Sequence, residues 1–479
     1  MSPDSDISKV EESPELSSRV TSDESVSAPV LLFFSSSILW LFVGTILGLT
    51  TALKFSFPDW LGSIPALTFG RIRPAHLNAV VYGWSSMAIA ACYIWLTARL
   101  CNTEIHWRRL LYISAILWNI GVLYGIIAIL NGGSQGQEWL EFPPAAVSVI
   151  AVAAICLSFS ILRTFHSRRV THIYVSLWYI LASVVWFPIL YVIANLHIYS
   201  GVTQAAVNWW YAHNLLTVWA TPAGLAAAYY FIPKVIGRPI HSYYLSLLGF
   251  WSFALFYNWN GIHHLVGGPL PTWLISVSIV ASVLMFIPVI TVAINHHLTT
   301  VGHFDKLKYS PTLRFVVFGA MSYTAVSFQG SFEAIRSQSE ITHFTHYTVG
   351  HAHLGLYAFL TMILFGAIYY IMPRLVKWEW PYPVLIKFHF WLVAIGIILY
   401  VLSMNVGGVF QGLYMNDASR PFIESVEVTK PYLAARSIGG ALILVGQLLF
   451  IFLFSLMILR KGAVRLTPPW RDELEAATK

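Results

Sequence analysis

Twelve apolar stretches of about 20 residues recur along this chain, and they constrain its fold more than any other feature. They occupy residues 31–53, 77–100, 111–130, 144–163, 173–196, 209–233, 244–266, 272–298, 312–330, 348–375, 384–410 and 437–460. Each is long enough to cross the ~30 Å hydrocarbon core of a bilayer as a helix. Only 10% of the residues are charged, whereas a soluble protein carries roughly 25%. The sequence therefore predicts an all-α polytopic membrane protein with twelve transmembrane helices.

The segments that flank the apolar region are polar. Residues 1–30 carry seven acidic side chains and few large apolar ones, a composition typical of disorder. They lack the basic start and apolar run of a secretory signal. We predict a disordered cytoplasmic tail over residues 1–30, a membrane domain over residues 31–460 and a second cytoplasmic tail over residues 461–479.

The lysines and arginines of the loops predict the orientation of the chain. The even-numbered loops and the C-terminal tail hold nineteen of them, and the odd-numbered loops hold seven. Because cations concentrate on the cytoplasmic side, both termini are predicted to be cytoplasmic. On the outer side, Arg71, Arg73 and Arg436 lie just before apolar segments, where either buried anions or interfacial snorkelling would explain them. The net charge of +7 is spread over loops, so nucleic acid binding is not indicated.

Histidines at the ends of apolar segments are the strongest functional signal. Six are placed in this way: His76, His213, His263, His264, His351 and His353. An ionisable side chain at membrane depth is costly and marks a candidate functional site. Segments 2, 6 and 10 begin at the outer face and carry four of these residues at their starts. Segment 7 runs outward and ends on the other two, so all six are predicted to share one depth.

The spacing of these histidines indicates how they divide between partners. His351 and His353 are two residues apart, so on a helix they face opposite sides and address different neighbours. His76 is left to pair with one of them. Neutral imidazole binds copper and iron well, so metal or heme ligation is the chemistry that this pattern indicates.

A three-histidine metal site is predicted around the end of segment 7. His263 and His264 are ~100° apart on a helix and can converge on one ion if the backbone is slightly distorted, with His213 from the preceding segment as the third ligand. Such a site with an open position suits copper. Tyr257, six residues before His263, lies below the histidines on a broadly similar face. Its phenol can donate a proton and an electron together.

The whole pattern resembles the catalytic subunit of heme–copper oxidases, most closely the cbb3-type cytochrome c oxidases of the C family, over residues 31–460. The motifs are Arg71-Ile-Arg-Pro-Ala-His76, Trp209-Trp-Tyr-Ala-His213-Asn, Tyr229-Tyr-Phe-Ile-Pro-Lys234, Tyr257-x5-His263-His264-Leu and Gly350-His-Ala-His353. The resemblance implies heme–copper oxidase subunit I architecture and a terminal respiratory oxidase. It also implies reduction of O2 to water, proton uptake from the cytoplasm and proton pumping.

The resemblance implies a role for each histidine. His76 and His353 resemble the axial ligands of a low-spin heme b, and His351 resembles the single axial ligand of a high-spin heme b. The copper ligands are matched by His213, His263 and His264. Tyr257 resembles the active-site tyrosine, which the family links covalently to a copper histidine, here His213. In A- and B-type oxidases that tyrosine comes four residues after the first copper histidine, where this chain has Thr217.

Further residues match the family in less specific motifs. Partners of the heme propionates are matched by Arg73, Trp209, His343 and Arg436. Glu138 resembles a calcium-linked carboxylate, and Tyr229 and Ser246 resemble members of the proton pathway, with Thr299 or Thr300 as further members. One departure is clear: where the family often reads Phe-Glu-Gly, this chain has Phe328-Gln329-Gly330, with Glu333 one turn later.

The cysteines bear on how electrons reach the site. Cys92, Cys101 and Cys156 form no CxxC or CxxCH motif, so neither disulfides, thiolate metal sites nor covalently attached c-type heme is predicted. The resemblance therefore implies membrane-bound heme-c subunits that deliver electrons, cytochrome c as the ultimate donor and a bacterial inner-membrane location.

Two other functions fit this pattern less well. A nitric oxide reductase would hold non-heme iron in place of copper, with a glutamate ligand four residues after the first metal histidine, where Thr217 stands. A transporter with structural histidines would show paired halves, and the sequence does not.

Overall fold

The computed structural model describes residues 14–464, and these residues are almost entirely helical. The long helices, in chain order, are Pro14–Leu53 (α1), Phe69–Cys101 (α2), Arg108–Leu130 (α3), Pro144–His166 (α4), Val175–Asn195 (α5), Gly201–Ile236 (α6), Tyr243–Phe256 (α7), Thr272–Thr300 (α8), Pro311–Glu333 (α9), His346–Val376 (α10), Pro383–Met415 (α11) and Lys430–Ile458 (α12). Within residues 14–464 the β-structure amounts to one isolated bridge between Trp378 and Val464.

Ten of the described helices are long and apolar enough to cross a membrane. The other two, α7 and α9, occupy the seventh and ninth predicted apolar segments. Helix α7 has 14 residues, fewer than the roughly 20 that a bilayer crossing requires. Helix α9 has 23 residues, but its polar side chains lower its apolar character. The structure thus confirms an all-helical membrane protein.

The N-terminal helix starts earlier than predicted. Helix α1 begins at Pro14, so the prediction of disorder is wrong for residues 14–30, and residues 1–13 lie outside the described residues. Tertiary contacts explain the extension: the Asp23 carboxylate lies 3.1 Å from the Arg99 guanidinium, and Ser25 Oγ accepts the backbone N–H of Ile105 at 3.0 Å. At the other end, residues 465–479 of the predicted C-terminal tail also lie outside the described residues.

Helices α2, α6 and α10 form the centre of the bundle. Their most apolar windows are 94%, 94% and 78% buried, against 39–50% for the other membrane-crossing candidates. Small residues allow this close packing; runs of alanine occur at residues 90–91 of α2 and 226–228 of α6. Since these three helices carry four of the six predicted ligand histidines, the most enclosed part of the protein surrounds the candidate site.

Each central helix widens into a π-helical turn just after its histidine. These turns span Ala79–Ser85 in α2, Leu215–Ala220 in α6 and Leu354–Thr361 in α10. A π-turn inserts an extra residue into the helix and is frequent at functional sites. The extra residue changes the helical register, so the side chains before the turn, which include the histidine, follow a different register from those after it.

Candidate metal and cofactor site

Three histidines meet in one group, one from α6 and two from the segment that follows α7. The potential ligand nitrogens of His213, His263 and His264 all lie within 4.8 Å of one another. The ring centroids are 5.2 Å apart for His213 and His263 and 4.4 Å apart for His263 and His264. Three imidazole nitrogens at this separation can converge on one metal ion, as the sequence predicts.

The backbone brings the two adjacent histidines to His213 by a route that helical geometry does not predict. Helix α7 ends at Phe256, and His263 and His264 lie on a separate 3-10 turn, Ile262–Leu265. The prediction that they continue the helix of Tyr257 is therefore wrong. The chain enters this 3-10 turn at Gly261, whose φ of +108° favours glycine. A methyl group there would lie 2.5 Å from the carbonyl oxygen of Trp209 and 2.9 Å from His213 Cβ.

Hydroxyl groups of α8 orient one of the three imidazoles. His263 Nδ1 lies 3.0 Å from Ser278 Oγ and 3.2 Å from Ser282 Oγ, which leaves Nε2 for a metal. The indole of Trp209, predicted to meet a propionate, stacks on the His264 ring with centroids 4.8 Å apart.

A buried nitrogen of His213 supports the presence of a ligand at this site. Its Nδ1 is buried and has no hydrogen-bond partner among the described residues. An unsatisfied buried polar atom is unfavourable unless an ion or water meets it. The three residues therefore fit a metal ion in their donor type, their separation and their unused nitrogen.

Tyr257 lies beside this group in the first turn after α7. It is 7% exposed, and its ring packs edge-on against Phe253 with centroids 4.3 Å apart. Tyr257, Thr221 and Ser327 all border the same cavity as the three histidines. Phe253 thus holds the Tyr257 ring at the edge of that cavity.

His76 and His353 share one hydrogen-bonding pattern. His76 Nδ1 lies 2.7 Å from the carbonyl oxygen of Gly44, and His353 Nδ1 lies 2.8 Å from that of Val349. A carbonyl partner holds the proton on Nδ1 and leaves Nε2 as the ligating nitrogen. Space for the His76 ring comes from Gly48, where a methyl group would lie 2.6 Å from His76 Cε1. Both rings therefore fit the axial ligands that the resemblance implies.

His351 faces a different environment, which includes the departure from the family motif. Its Nδ1 has no hydrogen-bond partner among the described residues, and the nearest carboxylate oxygen, Oε2 of Glu333, is 3.9 Å away. Oε1 of Glu333 accepts the hydroxyl proton of Thr348 at 2.8 Å. Gln329 instead donates from Nε2 to Asn405 Oδ1 at 3.2 Å. Glu333, one turn after Gln329, thus supplies the carboxylate nearest His351.

One cavity of about 470 Å³ gathers all the predicted metal, heme and propionate residues. The residues bordering it include Arg73, His76, Glu138, Trp209, His213, Tyr257, His263, His264, His343, His351, His353 and Arg436. The sequence therefore identified side chains that are far apart in the chain and adjacent in the fold.

The two predicted propionate arginines have unequal surroundings. Arg436 is 3% exposed; it donates to the carbonyl oxygen of Ala52 at 3.2 Å and lies over the Phe55 ring at 4.7 Å. Within residues 14–464 no carboxylate pairs with it, and a buried unpaired cation is strongly unfavourable. Arg73 by contrast pairs with the Glu138 carboxylate at 2.8 Å. Arg436 thus favours an anionic ligand in the cavity, while Glu138 already has a cationic partner.

His343 lies at the outer edge of the cavity, between α9 and α10. Its ring contacts that of Phe344, with centroids 3.9 Å apart, and its Nε2 is buried without a hydrogen-bond partner in the described part of the chain. Burial lowers the pKa of His343, and the Glu333 carboxylate acts in the opposite direction. A neutral imidazole with one unused nitrogen is compatible with the predicted propionate contact.

The two predicted proton-pathway residues are joined by an asparagine that the sequence did not single out. Asn295 Nδ2 donates to Ser246 Oγ at 3.1 Å and lies 3.5 Å from the hydroxyl of Tyr229. Its carbonyl oxygen accepts the hydroxyl proton of Thr299 at 2.5 Å, so Thr299 adjoins the cluster, while Thr300 bonds to His296 instead. Neither Tyr229 nor Ser246 borders the main cavity.

A buried glutamate beside the cavity was also missed. Glu141 is 4% exposed and accepts a hydrogen bond from Asn78 Nδ2 at 2.9 Å. Burial raises the pKa of Glu141 to about 7, and the Asn78 hydrogen bond opposes that shift. Its position between Leu140 and Phe142 was the available signal, because an acid inside an apolar run requires a partner.

Comparisons with known proteins agree with this geometry. The family described as cytochrome c and quinol oxidase polypeptide I matches residues 28–442. The cbb3-type cytochrome c oxidase subunit CcoN1 of Stutzerimonas stutzeri is 33% identical over 437 residues, which cover 88% of this chain and 92% of that protein. A cytochrome c oxidase subunit 1 homolog of Agrobacterium tumefaciens strain T37 is 32% identical over 446 residues, 88% of this chain and 82% of its own length.

A solved structure shares the fold. One chain of a heme–copper terminal oxidase dimer superposes with a TM-score of 0.68 at 16% identity, covering 92% of this chain and 84% of that one. The fold and the histidine site thus define a membrane-embedded heme–copper oxidase catalytic subunit. The chain belongs to the cytochrome c and quinol oxidase polypeptide I family. The predicted resemblance to the cbb3-type catalytic subunit is confirmed.

Proposed function

We propose that this chain holds two hemes b and one copper ion and reduces O2 to water as the catalytic subunit of a cbb3-type terminal oxidase. The observation that carries the proposal is the group formed by His213, His263 and His264 within 4.8 Å. This group shares one cavity with His351. When bound, the hemes and copper supply the electron-transfer and oxygen-reduction chemistry.

The side chains have distinct proposed tasks around those cofactors. His76 and His353 would hold the low-spin heme, each through the Nε2 that its Nδ1–carbonyl contact leaves available. His351 holds the high-spin heme. Arg436, with Arg73, Trp209 and His343, meets the propionates. The Arg436 side chain is buried and has no carboxylate partner in the described part of the chain, and this supports the role most directly.

Protons are proposed to reach the cavity from the cytoplasmic side through hydroxyl and amide groups. Ser246 of α7, Asn295 of α8 and Tyr229 of α6 form a hydrogen-bonded cluster. Tyr257 holds a proton at its phenol oxygen, where it can be given to the reacting centre. Low-dielectric surroundings make uncompensated charge unfavourable, so each electron that arrives favours proton uptake. That coupling is the proposed basis of pumping.

The membrane arrangement that we propose has twelve crossings, with α7 and α9 added to the ten apolar helices. Both tails are then cytoplasmic, and the membrane is the bacterial inner membrane. Membrane-bound heme-c subunits, with cytochrome c as ultimate donor, would deliver electrons, because no CxxCH motif occurs in this chain. Calcium at Glu138 would have to share that carboxylate with Arg73.

Nitric oxide reduction with non-heme iron is the alternative. It requires a carboxylate ligand near the first metal histidine, at the position of Thr217. The Thr217 hydroxyl instead donates to the carbonyl oxygen of His213 at 3.1 Å. A threonine supplies no anionic oxygen, so copper with three nitrogen ligands is favoured.

A spectrum and a metal analysis of the purified holoenzyme test the proposal. The dithionite-reduced minus oxidised spectrum is expected to show two b hemes for this chain, and metal analysis one copper. The variant His264→Ala should lose copper and retain both hemes. The matched control His166→Ala changes an exposed histidine at the last residue of α4 and should keep all three. Heme with additional iron and no copper would instead identify the reductase, and absence of heme would refute both.

A further inference from the structure

Gln447 of α12 is a buried polar side chain in the wall of the main cavity, and it belongs to none of the predicted ligand groups. It is 1% exposed and borders the cavity together with Thr45 of α1 and Tyr357 of α10. A buried amide is unfavourable unless its oxygen and its nitrogen both find hydrogen-bond partners. The partners of Gln447 come from two different helices, so its amide forms a bridge between them.

The two ends of the Gln447 amide contact α1 and α10. Its Oε1 accepts the hydroxyl proton of Thr45, which the Leu41 carbonyl oxygen also accepts at 2.7 Å in a three-centre arrangement. Its Nε2 donates to the hydroxyl oxygen of Tyr357 at 3.1 Å. The amide therefore joins α1 to α10 through α12.

Each end of this bridge lies next to the support of a predicted axial histidine. On α1, Thr45 directly follows Gly44, whose carbonyl oxygen lies 2.7 Å from His76 Nδ1. On α10, Tyr357 lies four residues after His353, which is about one helical turn. The bridge therefore connects the backbone that orients one imidazole to the helix that carries the other.

A second contact from α12 holds α1 on the other side of His76. Arg436 donates to the carbonyl oxygen of Ala52 at 3.2 Å, about two turns along α1 from Thr45. Gly48, whose open face receives the His76 ring, lies between these two contacts. Helix α12 thus fixes the segment of α1 that supports His76 at both of its ends.

We propose that Gln447 is a positioning residue for the low-spin heme, one that fixes the mutual orientation of the His76 and His353 rings by bridging α1 and α10. Its hydrogen bonds reach neither ring, so its effect passes through the two helices. Side chains beyond the metal ligands commonly fix the orientation of a ligating imidazole. The inference rests on the proposed ligation of this heme by His76 and His353.

Electron paramagnetic resonance of the oxidised holoenzyme tests the bridge. The largest g value of a low-spin heme with two imidazole ligands depends on the angle between the imidazole planes. Gln447→Met keeps the length of the side chain and removes both hydrogen bonds, so it is expected to shift this g value while both b hemes stay bound. Tyr357→Phe removes one contact and should give a smaller shift. Gln447→Glu restores oxygens to which both hydroxyls can donate and should return the g value toward that of the wild type.

Asn119→Leu is the matched control. The Asn119 amide of α3 also bonds to α1: its Oδ1 accepts from Trp40 Nε1 and its Nδ2 donates to Ser36 Oγ, both at 3.0 Å. None of these three residues borders the main cavity, so the g value should not move in this variant.

Two results would overturn the inference. One is an unchanged g value in Gln447→Met with both hemes bound. The other is an equal shift in Asn119→Leu, which would show that any loosening of α1 has the same effect. If the methionine variant does not retain heme, Tyr357→Phe, which removes a single oxygen atom, decides the comparison. A wild-type spectrum without a low-spin b heme would instead refute the proposed heme ligation.

Discussion

Replacing Gly261 by alanine is expected to release copper from the site while leaving the helices intact. A methyl group at this position would lie 2.5 Å from the Trp209 carbonyl oxygen and 2.9 Å from His213 Cβ, where ordinary contact begins at 3.4 Å. Relief of the first contact requires about 0.9 Å of movement (3.4 minus 2.5). Metal–ligand distances tolerate only about 0.2 Å. The displacement therefore separates His213 from the turn that carries its two partners.

The free-energy cost of the added methyl group has two parts. A side chain at φ +108° costs about 1–3 kcal/mol in backbone strain, and overpacking costs about 1–3 kcal/mol more. If the overpacking part falls on the metal site, copper affinity drops about 5- to 150-fold. Gly267→Ala is a matched control, because Gly267 also has a positive φ, +86°, but a methyl group there meets no atom within 4 Å.

The assay is copper per heme after equilibration with a chelator of known affinity. Gly261→Ala should lose copper at chelator concentrations that both the wild type and Gly267→Ala withstand, with the b-heme spectra preserved. Retention of copper by Gly261→Ala at wild-type affinity would refute the reasoning. Equal loss in Gly267→Ala would show that backbone strain alone, and not the approach to His213, is responsible.

Four further predictions concern residues around the cavity. Ser278→Ala should weaken copper binding about 10- to 100-fold, because it removes the nearer of the two hydroxyls that orient His263; chelator competition measures this. Glu333→Gln should raise the midpoint potential of the high-spin heme in a redox titration, because the negative charge beside His351 stabilises the oxidised iron. Because burial raises the pKa of Glu141 from 4.5 to about 7, the folded protein binds its proton more tightly and the contribution of Glu141 to stability falls as the pH rises through that range. Infrared titration should show its protonated carboxyl band disappear near pH 7, and the band should be absent in Glu141→Gln. Asn295→Leu should slow proton uptake in stopped-flow measurements while heme and copper remain.

Each of these four predictions has an outcome that would contradict it. Wild-type copper affinity in Ser278→Ala would mean that the hydroxyl does not orient its histidine. An unchanged potential in Glu333→Gln would show that the carboxylate is too distant or too well screened to act on the iron. A carboxyl band that disappears near pH 4.5 would place Glu141 in contact with water. Normal proton uptake in Asn295→Leu would remove the amide from the pathway.

The grouping of the candidate residues was largely predictable from the sequence. Histidines at membrane depth are rare, so their positions marked them as candidate ligands, and the order of the segments predicted one depth for all six. All of the predicted metal, heme and propionate residues border one cavity. The apolar segments predicted the helical class for the same reason: a backbone in lipid must satisfy its own hydrogen bonds.

The tertiary structure decided what depends on contacts between distant segments. Helical periodicity could not reveal that α7 ends at Phe256, or that Gly261 lies against Trp209 of α6, since that approach is a contact between distant segments. Nor could composition show that residues 14–30 are helical, because the Asp23–Arg99 ion pair joins two helices. The hydrogen bonds from Trp219 to Ser86 and from Trp84 to Thr361 likewise exist only between helices. The local sequence specifies which side chains are present, whereas tertiary packing determines which of them come into contact.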